Sequence, residues 1–245
     1  MNLPPAQTPA YHRDPFQREL GAWVDAAGTD ERWGPYLILS DTICHPHGGG
    51  QKGDRATLRL TPAEASAGKC VEQLPVVDTR RDGERILHIL PPEVDIAGLD
   101  EALTGEREVT LALDWDFRLR QMRLHSAAHL LHCFVARTVG DDLPDPDVSD
   151  LQPGFGLNRY ERPEVLTPAQ MSQVTEALNA FIAEDHPIRT TADEARPGFR
   201  YWHCEEWRIP CGGTHLAATG QIGTVDVTLS LKRGRTSMTF RLDPP

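Results

Sequence analysis

His125-Ser-Ala-Ala-His129-Leu-Leu-His132 and, far downstream, Pro210-Cys211-Gly212-Gly213-Thr214-His215 are the stretches on which the reading of this chain turns. Each holds two metal-type side chains four residues apart, His125 with His129 and Cys211 with His215. Neutral imidazole and thiolate suit zinc, and two such pairs brought together make a four-ligand shell. The chain is therefore expected to fold around one Zn2+ held by His125, His129, Cys211 and His215.

The two pairs differ in setting. Phe117 to Val139 contains neither Gly nor Pro and carries Leu119, Met122, Ala127, Leu130, Leu131 and Phe134, which predicts a helix. Residues four apart on a helix share a face, with Cβ atoms about 5–6 Å apart, so His125 and His129 can grip one ion. Two glycines after Pro210 interrupt helix and strand alike, which places Cys211 and His215 on a tight loop.

These stretches, with Thr219-Gly-Gln-Ile-Gly223 after them, resemble the editing domain of alanyl-tRNA synthetase and its free-standing relatives, the AlaX proteins. Two further stretches extend the resemblance over residues from about 40 to 242, in the family's order. Thr42-Ile-Cys-His-Pro46-His-Gly-Gly-Gly50-Gln51-Lys-Gly-Asp54 is similar to the family's glycine-rich segment. Leu113-Asp-Trp-Asp-Phe-Arg118 through Met122-Arg123 is similar to the lead into its metal-binding helix. Cys44 and His45 stand where the family has an aromatic pair, and Ser126 where threonine is common; the first 35 residues match nothing in it.

The resemblance implies a small β-barrel with the glycine-rich motif over residues 1–113, followed by an α+β zinc-binding editing domain over 114–245. It implies hydrolysis of the ester in mischarged tRNA(Ala), seryl-tRNA(Ala) foremost and glycyl-tRNA(Ala) next. Catalysis would run through the zinc held by His125, His129, Cys211 and His215. By type and by the resemblance, Thr42, Gly49, Gly50, Gln51, Ser126 and Thr214 would contact substrate, with the Thr42 hydroxyl meeting the serine side chain.

The residues support that architecture independently. Tyr36–Leu39, Ala56–Leu60, Leu74–Asp78, Arg85–Leu90 and Glu108–Leu113 are short apolar-polar alternations between Gly, Pro and Asp turns, the pattern of a small barrel. Residues 140–156, rich in Asp, Pro and Gly, are expected to form a long surface loop or lid. Thr167-Pro-Ala-Gln170 opens a second helix with a capping box, and Met171, Val174, Leu178, Phe181 and Ile182 form its apolar stripe. Val225 to Leu231 and Met238 to Leu242 alternate as two strands around a Lys232–Arg235 turn. The fold class is α+β, helices on antiparallel strands.

Composition bounds the rest. There is no apolar run of membrane-spanning length and no export signal, and the odd set of five cysteines includes a thiolate ligand, so the expected setting is cytoplasmic. A net charge of −11 disfavours broad association with a polyanion. tRNA contact is assigned instead to local clusters, Arg118, Arg120 and Arg123 and then Lys232, Arg233 and Arg235, giving weak, salt-sensitive binding. Cys44, His45 and His47 lack a fourth ligand and are read as packing residues. Glu205 and Glu206 are candidate bases just ahead of Cys211, which as a zinc thiolate is a poor free nucleophile. No adenylation motif is present. Two alternatives stay open: a non-catalytic, zinc-stapled module that binds tRNA or protein, and a threonyl-type editing hydrolase acting on seryl-tRNA(Thr), which shares the H-x3-H and C-x3-H layout.

Overall fold

Glu108–Leu113, where Val109, Leu111 and Leu113 fall on one face, shows how the first part is built: all three are buried, and their neighbours are not. A strand with side chains alternating between faces buries every second residue when one face meets a core. The computed structural model describes residues 8–60, 73–102, 108–140 and 143–243, and the chain divides into two compact units. One comprises residues 1–48 and 52–118, the other 49–51 and 119–245.

The first unit runs α1 (Ala10–Arg13), β1 (Glu19–Asp30), β2 (Gly34–Leu39), β3 (Ala56–Leu60), β4 (Gln73–Val76), β5 (Asp78–Asp82), β6 (Arg85–Ile89), α2 (Ile96–Ala102) and β7 (Glu108–Leu113). The seven strands pair in the order β4-β3-β7-β1-β2-β6-β5. The outer strands of that order, β4 and β5, are consecutive in the chain and separated only by Val77. The sheet thus comes round on itself, and the expected small barrel is what forms. Its core includes Val24, Leu37, Ile43, Leu58, Val109 and Leu111.

β1, like β5, is a strand that the sequence reading does not reveal. Residues 19–23 pair with β7 and residues 24–30 with β2, and the register shifts between Val24 and Ala26. An extra residue at that point bends a strand and increases its twist, which is how one strand can serve two neighbours. The bulge also breaks the alternation, so Ala22 and Val24 are the only buried side chains in 12 residues.

Two polar clusters are buried in this unit. His88 is wholly enclosed, its Nδ1 3.2 Å from the Leu37 carbonyl and its Nε2 2.7 Å from the Thr42 hydroxyl, which also accepts from the Cys44 N–H. Burial pushes the His88 pKa down to about 4 from an ordinary 6.5, against the opposing hydrogen bond to Leu37. The unfolded chain therefore takes up a proton near pH 6.5 that the folded one refuses until about pH 4, so stability is lost as pH falls from about 6.5 to about 4. We expect His88→Gln to remove up to about 3.5 kcal/mol of that loss over the whole window, a 2.5-unit shift at about 1.4 kcal/mol each. Denaturant titrations at pH 7 and pH 4.5 measure it; equal pH slopes in both proteins would refute it.

The second cluster is an ion pair. Arg118 and Asp54 are both fully buried, and the guanidinium donates from Nε to both carboxylate oxygens at 3.0 and 3.1 Å. Its remaining nitrogens donate to the carbonyls of Pro15 and Ile43, and the His45 N–H also donates to Asp54. Burial pushes the Asp54 carboxyl upward, and the charged guanidinium opposes it. Cys44 beside this pair has its thiol pushed up to about 12 by burial, so it stays a protonated core residue. Cys70 lies outside the described residues.

The second unit contains α3 (Trp115–Val139), which begins in the first, then β8 (Val148–Gln152), β9 (Phe155–Tyr160), α4 (Pro168–Ala183) and β10 to β14 (Ile188–Ala192, Arg200–Cys204, Trp207–Pro210, Val225–Lys232 and Arg235–Leu242). Asp114 caps α3 by accepting the Phe117 N–H at 3.0 Å, and Gly140, at φ 107°, ends it. The Thr167–Gln170 capping box of α4 forms in full, and Met171, Val174, Leu178 and Ile182 are its buried stripe. Four strands pair antiparallel as β13-β14-β9-β8, and three as β10-β11-β12. Arg233 and Gly234 both take positive φ in the β13–β14 turn, the conformation that matches the twist of a two-residue hairpin.

One expectation fails here. Residues 140–156 are not a continuous loop: β8 and most of the β8–β9 hairpin occupy 148–156. Ser149, Asp150 and Gln152 hide the strand because only Leu151 of β8 is buried, so the segment has no apolar alternation to read.

Candidate metal centre

α3 sets His125 and His129 one turn apart with ring centroids 4.8 Å from each other. The loop after β12 brings in Cys211 and His215; the His215 ring lies 4.3 Å from His125 and 5.0 Å from His129. Cys211 Sγ is 3.5 Å from His125 Nε2 and 3.3 Å from His215 Nε2. All four ligand atoms lie within 4.8 Å of one another. Around a tetrahedral zinc with bonds of about 2.0–2.3 Å, ligand atoms sit roughly 3.3–3.6 Å apart, so the shorter separations match such a shell.

The surroundings fit a metal as well. Gln51 Oε1 accepts at 2.9 Å from His125 Nδ1, which puts the proton on Nδ1 and leaves Nε2 with a lone pair. Gln51 is itself fixed, accepting from the Thr214 N–H at 3.0 Å and donating to the Thr214 hydroxyl at 2.8 Å. His129 Nε2 is buried with no hydrogen-bond partner among the described residues, a costly arrangement unless something else satisfies it. Burial pushes His125 down to about 4, and burial also holds His129 well below its ordinary value, with its neighbours His125 and His132 adding to the effect. Both rings are thus neutral and able to ligate. The Cys211 thiol is pushed up to about 11 by burial, against a 3.4 Å contact from the Gly213 N–H, so it must give up its proton as a metal binds.

Two glycines are demanded by this geometry. A Cβ on Gly213 would stand 2.2 Å from His125 Cε1 and 2.8 Å from Gln51 Oε1. At Gly50, φ is 86° and a Cβ would stand 2.5 Å from the Ser149 carbonyl oxygen. Gly50 in turn accepts the Leu151 N–H at 3.0 Å, holding the glycine segment along β8. No such crowding surrounds Gly212.

Beside the four side chains opens a cavity of about 480 Å³, lined by Gly49, Gly50, His125 and His129, with His132, Asp145, Ser149 and Asn158 among its other walls. Trp202, fully buried, packs beside His129 with ring centroids 5.2 Å apart.

The expected substrate contacts divide. Gly49 and Gly50 line the cavity. Gln51 and Thr214 are buried and occupied with each other and with His125, and buried Ser126 accepts the Leu216 N–H. Thr42 is spent on His88 and Cys44 in the first unit. Glu205 holds His186 and Glu206 is exposed; neither lines the cavity.

Two of the six expected tRNA contacts are corrected. Arg118 is buried on Asp54, and Arg123 is buried with its guanidinium donating to the Ile222 and Asp243 carbonyls, so neither offers charge to a phosphate. Arg120, Lys232, Arg233 and Arg235 are exposed, the last paired with Glu161. Sequence reasoning also passed over His132, Tyr160, Asp145 and Asn158. Only His132 carried a signal, three residues beyond His129 on the same helix face.

Fold and site together define an α+β protein with, among the described residues, one His3Cys metal-type group beside an open cavity. No family model matches the chain. It is similar to alanine–tRNA ligases: that of Ignicoccus hospitalis at 27% identity over 91% of this chain, that of Metallosphaera sedula at 26% over 92%, and that of Thermococcus kodakarensis at 28% over 92%. The chain spans about a quarter of the length of these relatives, 24%, 25% and 24% respectively. Among the described residues no helix is long and apolar enough to cross a membrane.

Proposed function

We propose that this protein is an AlaX-type aminoacyl-tRNA deacylase, acting in trans and in the cytoplasm on mischarged tRNA(Ala), with residues 1–113 as its glycine-rich barrel and 114–245 as its editing part. The observation that carries the reading is the His3Cys group, whose His125 and His129 line a cavity roomy enough for a small aminoacyl ester, in a chain similar to alanine–tRNA ligases over nine-tenths of its length.

His125, His129, Cys211 and His215 would hold Zn2+, which supplies Lewis acidity to a carbonyl or a water when bound. Gln51 keeps His125 in the ligating tautomer. Gly49 and Gly50 bring backbone rather than side chains to the cavity wall, leaving width for the ester. Arg120, Lys232, Arg233 and Arg235 are the expected phosphate contacts. Serine is the favoured aminoacyl group and glycine the next.

Incubation with labelled seryl-, glycyl- and alanyl-tRNA(Ala) and with seryl-tRNA(Thr) tests this. We expect loss of label from seryl-tRNA(Ala) at least about tenfold faster than from alanyl-tRNA(Ala), since one small polar difference in a fitted pocket is worth that much or more. A preference for seryl-tRNA(Thr) would replace this reading by threonyl-type editing. The four protein ligands favour a second reading, because structural zinc has a closed shell and catalytic zinc an open position. Inertness toward every charged tRNA, with zinc bound, would establish that non-catalytic module instead.

A further inference from the structure

Among the described residues His132 is the one imidazole on the cavity wall outside the His3Cys group, and each of its ring nitrogens has a neighbour of its own. Nδ1 lies 3.0 Å from the hydroxyl of Tyr160. Tyr160 is fully buried, and His132 is the partner the structure gives its hydroxyl. A buried hydroxyl whose proton had no acceptor would cost about 1–3 kcal/mol, so the tyrosine donates and Nδ1 accepts. Burial raises the Tyr160 pKa and lowers that of His132, which keeps the phenol protonated and the imidazole neutral. A neutral ring that accepts at Nδ1 must carry its proton at Nε2.

That Nε2–H points to the cavity side. Its neighbour is Asp145 Oδ1 at 3.5 Å, a carboxylate whose side chain is 85% exposed. At that length and exposure the contact is weak and readily given up. Tyr160, by contrast, holds the imidazole through its hydroxyl at 3.0 Å, the two rings 19° from parallel with centroids 6.1 Å apart. The result is a pre-oriented N–H donor, fixed on a rigid helix one turn beyond His129.

We infer that His132 is a catalytic residue of the proposed deacylase: its Nε2–H, fixed by Tyr160, donates to the carbonyl oxygen of the aminoacyl ester as that oxygen becomes an oxyanion. This rests on the deacylase reading. Water forms the new bond to the carbonyl carbon, the C=O pair moves onto oxygen against the Nε2–H, and the bond to the ribose oxygen breaks as the carbonyl re-forms. The water's protons and the proton taken by the ribose oxygen are exchanged with solvent. His132 keeps its own proton throughout. Asp145 yields its place to the substrate oxygen, since two anionic oxygens cannot share the donor.

Loss of one such donor costs about 10²–10³ in kcat. His132→Ala is therefore expected to retain one zinc per chain and lose about 10²-fold in kcat on seryl-tRNA(Ala), with KM changed less than threefold. His132→Gln, which keeps an N–H donor, should recover part of that loss. In ¹⁵N spectra of the wild type, His132 should show a protonated Nε2 and a bare Nδ1, and Tyr160→Phe should mix the two tautomers. His132→Ala with unchanged kcat, loss of zinc in that variant, or a wild-type proton on Nδ1 would each overturn the inference while leaving the deacylase reading in place. A wild type inert on every charged tRNA would overturn both.

Discussion

Replacing Arg118 by alanine is expected to lower the free energy of unfolding by about 3–5 kcal/mol, because it strands the Asp54 carboxylate in the core of the first unit. The guanidinium also satisfies the Pro15 and Ile43 carbonyls, so three acceptors lose a donor at once. Against a typical total of about 5–15 kcal/mol, that is a large share of the stability of a domain. Asp54→Ala should cost a similar amount. The double variant should cost much less than the sum, since each single change already includes the orphaned partner. Urea denaturation of the three variants measures this. A single variant within about 1 kcal/mol of wild type would mean that the pair is hydrated rather than enclosed.

Zinc content should respond even more sharply. Protein purified without added metal is expected to carry one zinc per chain, and Cys211→Ala to lose nearly all of it, the thiolate being the only anionic member of the set. Structural zinc sites bind with on the order of 10–16 kcal/mol, so removal of one ligand is read easily by elemental analysis. Gly213→Ala is the more discriminating change, because it removes no ligand. Its methyl would have to occupy space now held by the His125 ring, only 2.2 Å away, and the Gln51 carbonyl. Zinc loss comparable to that of Cys211→Ala is expected. Full occupancy in either variant would dismiss the four-residue assignment.

How much of this was legible in the sequence depends on whether residue type or residue environment decides the outcome. Spacing decides a helical ligand pair, so His125 and His129 were readable, as was Thr167 with Gln170, whose reciprocal capping bonds need only four consecutive positions. Glycine pairs and alternating strands were readable for the same reason. Arg118 was not. An arginine in the first turn of the helix that carries His125 and His129 has the same formula whether it faces phosphate or a buried carboxylate, and its partner Asp54 lies 64 residues away. β1 and β8 were missed because a bulge and a run of polar side chains erase the period of two on which strands are recognised. Gln51 was expected to touch substrate by its type; its position behind His125 is a product of tertiary structure alone.

Gly49, Gly50 and Gln51 belong to the second unit although the chain on either side of them belongs to the first. A gene fragment encoding residues 119–245 would therefore retain all four residues of the His3Cys group and still be incomplete. It would leave the His125 Nδ1 proton and the Thr214 N–H without the one side chain that answers both. Any graft or circular permutation meant to transplant this centre must carry the tripeptide along, either on a linker or as a peptide supplied in trans. The smallest portable version of the site is two pieces of chain rather than one.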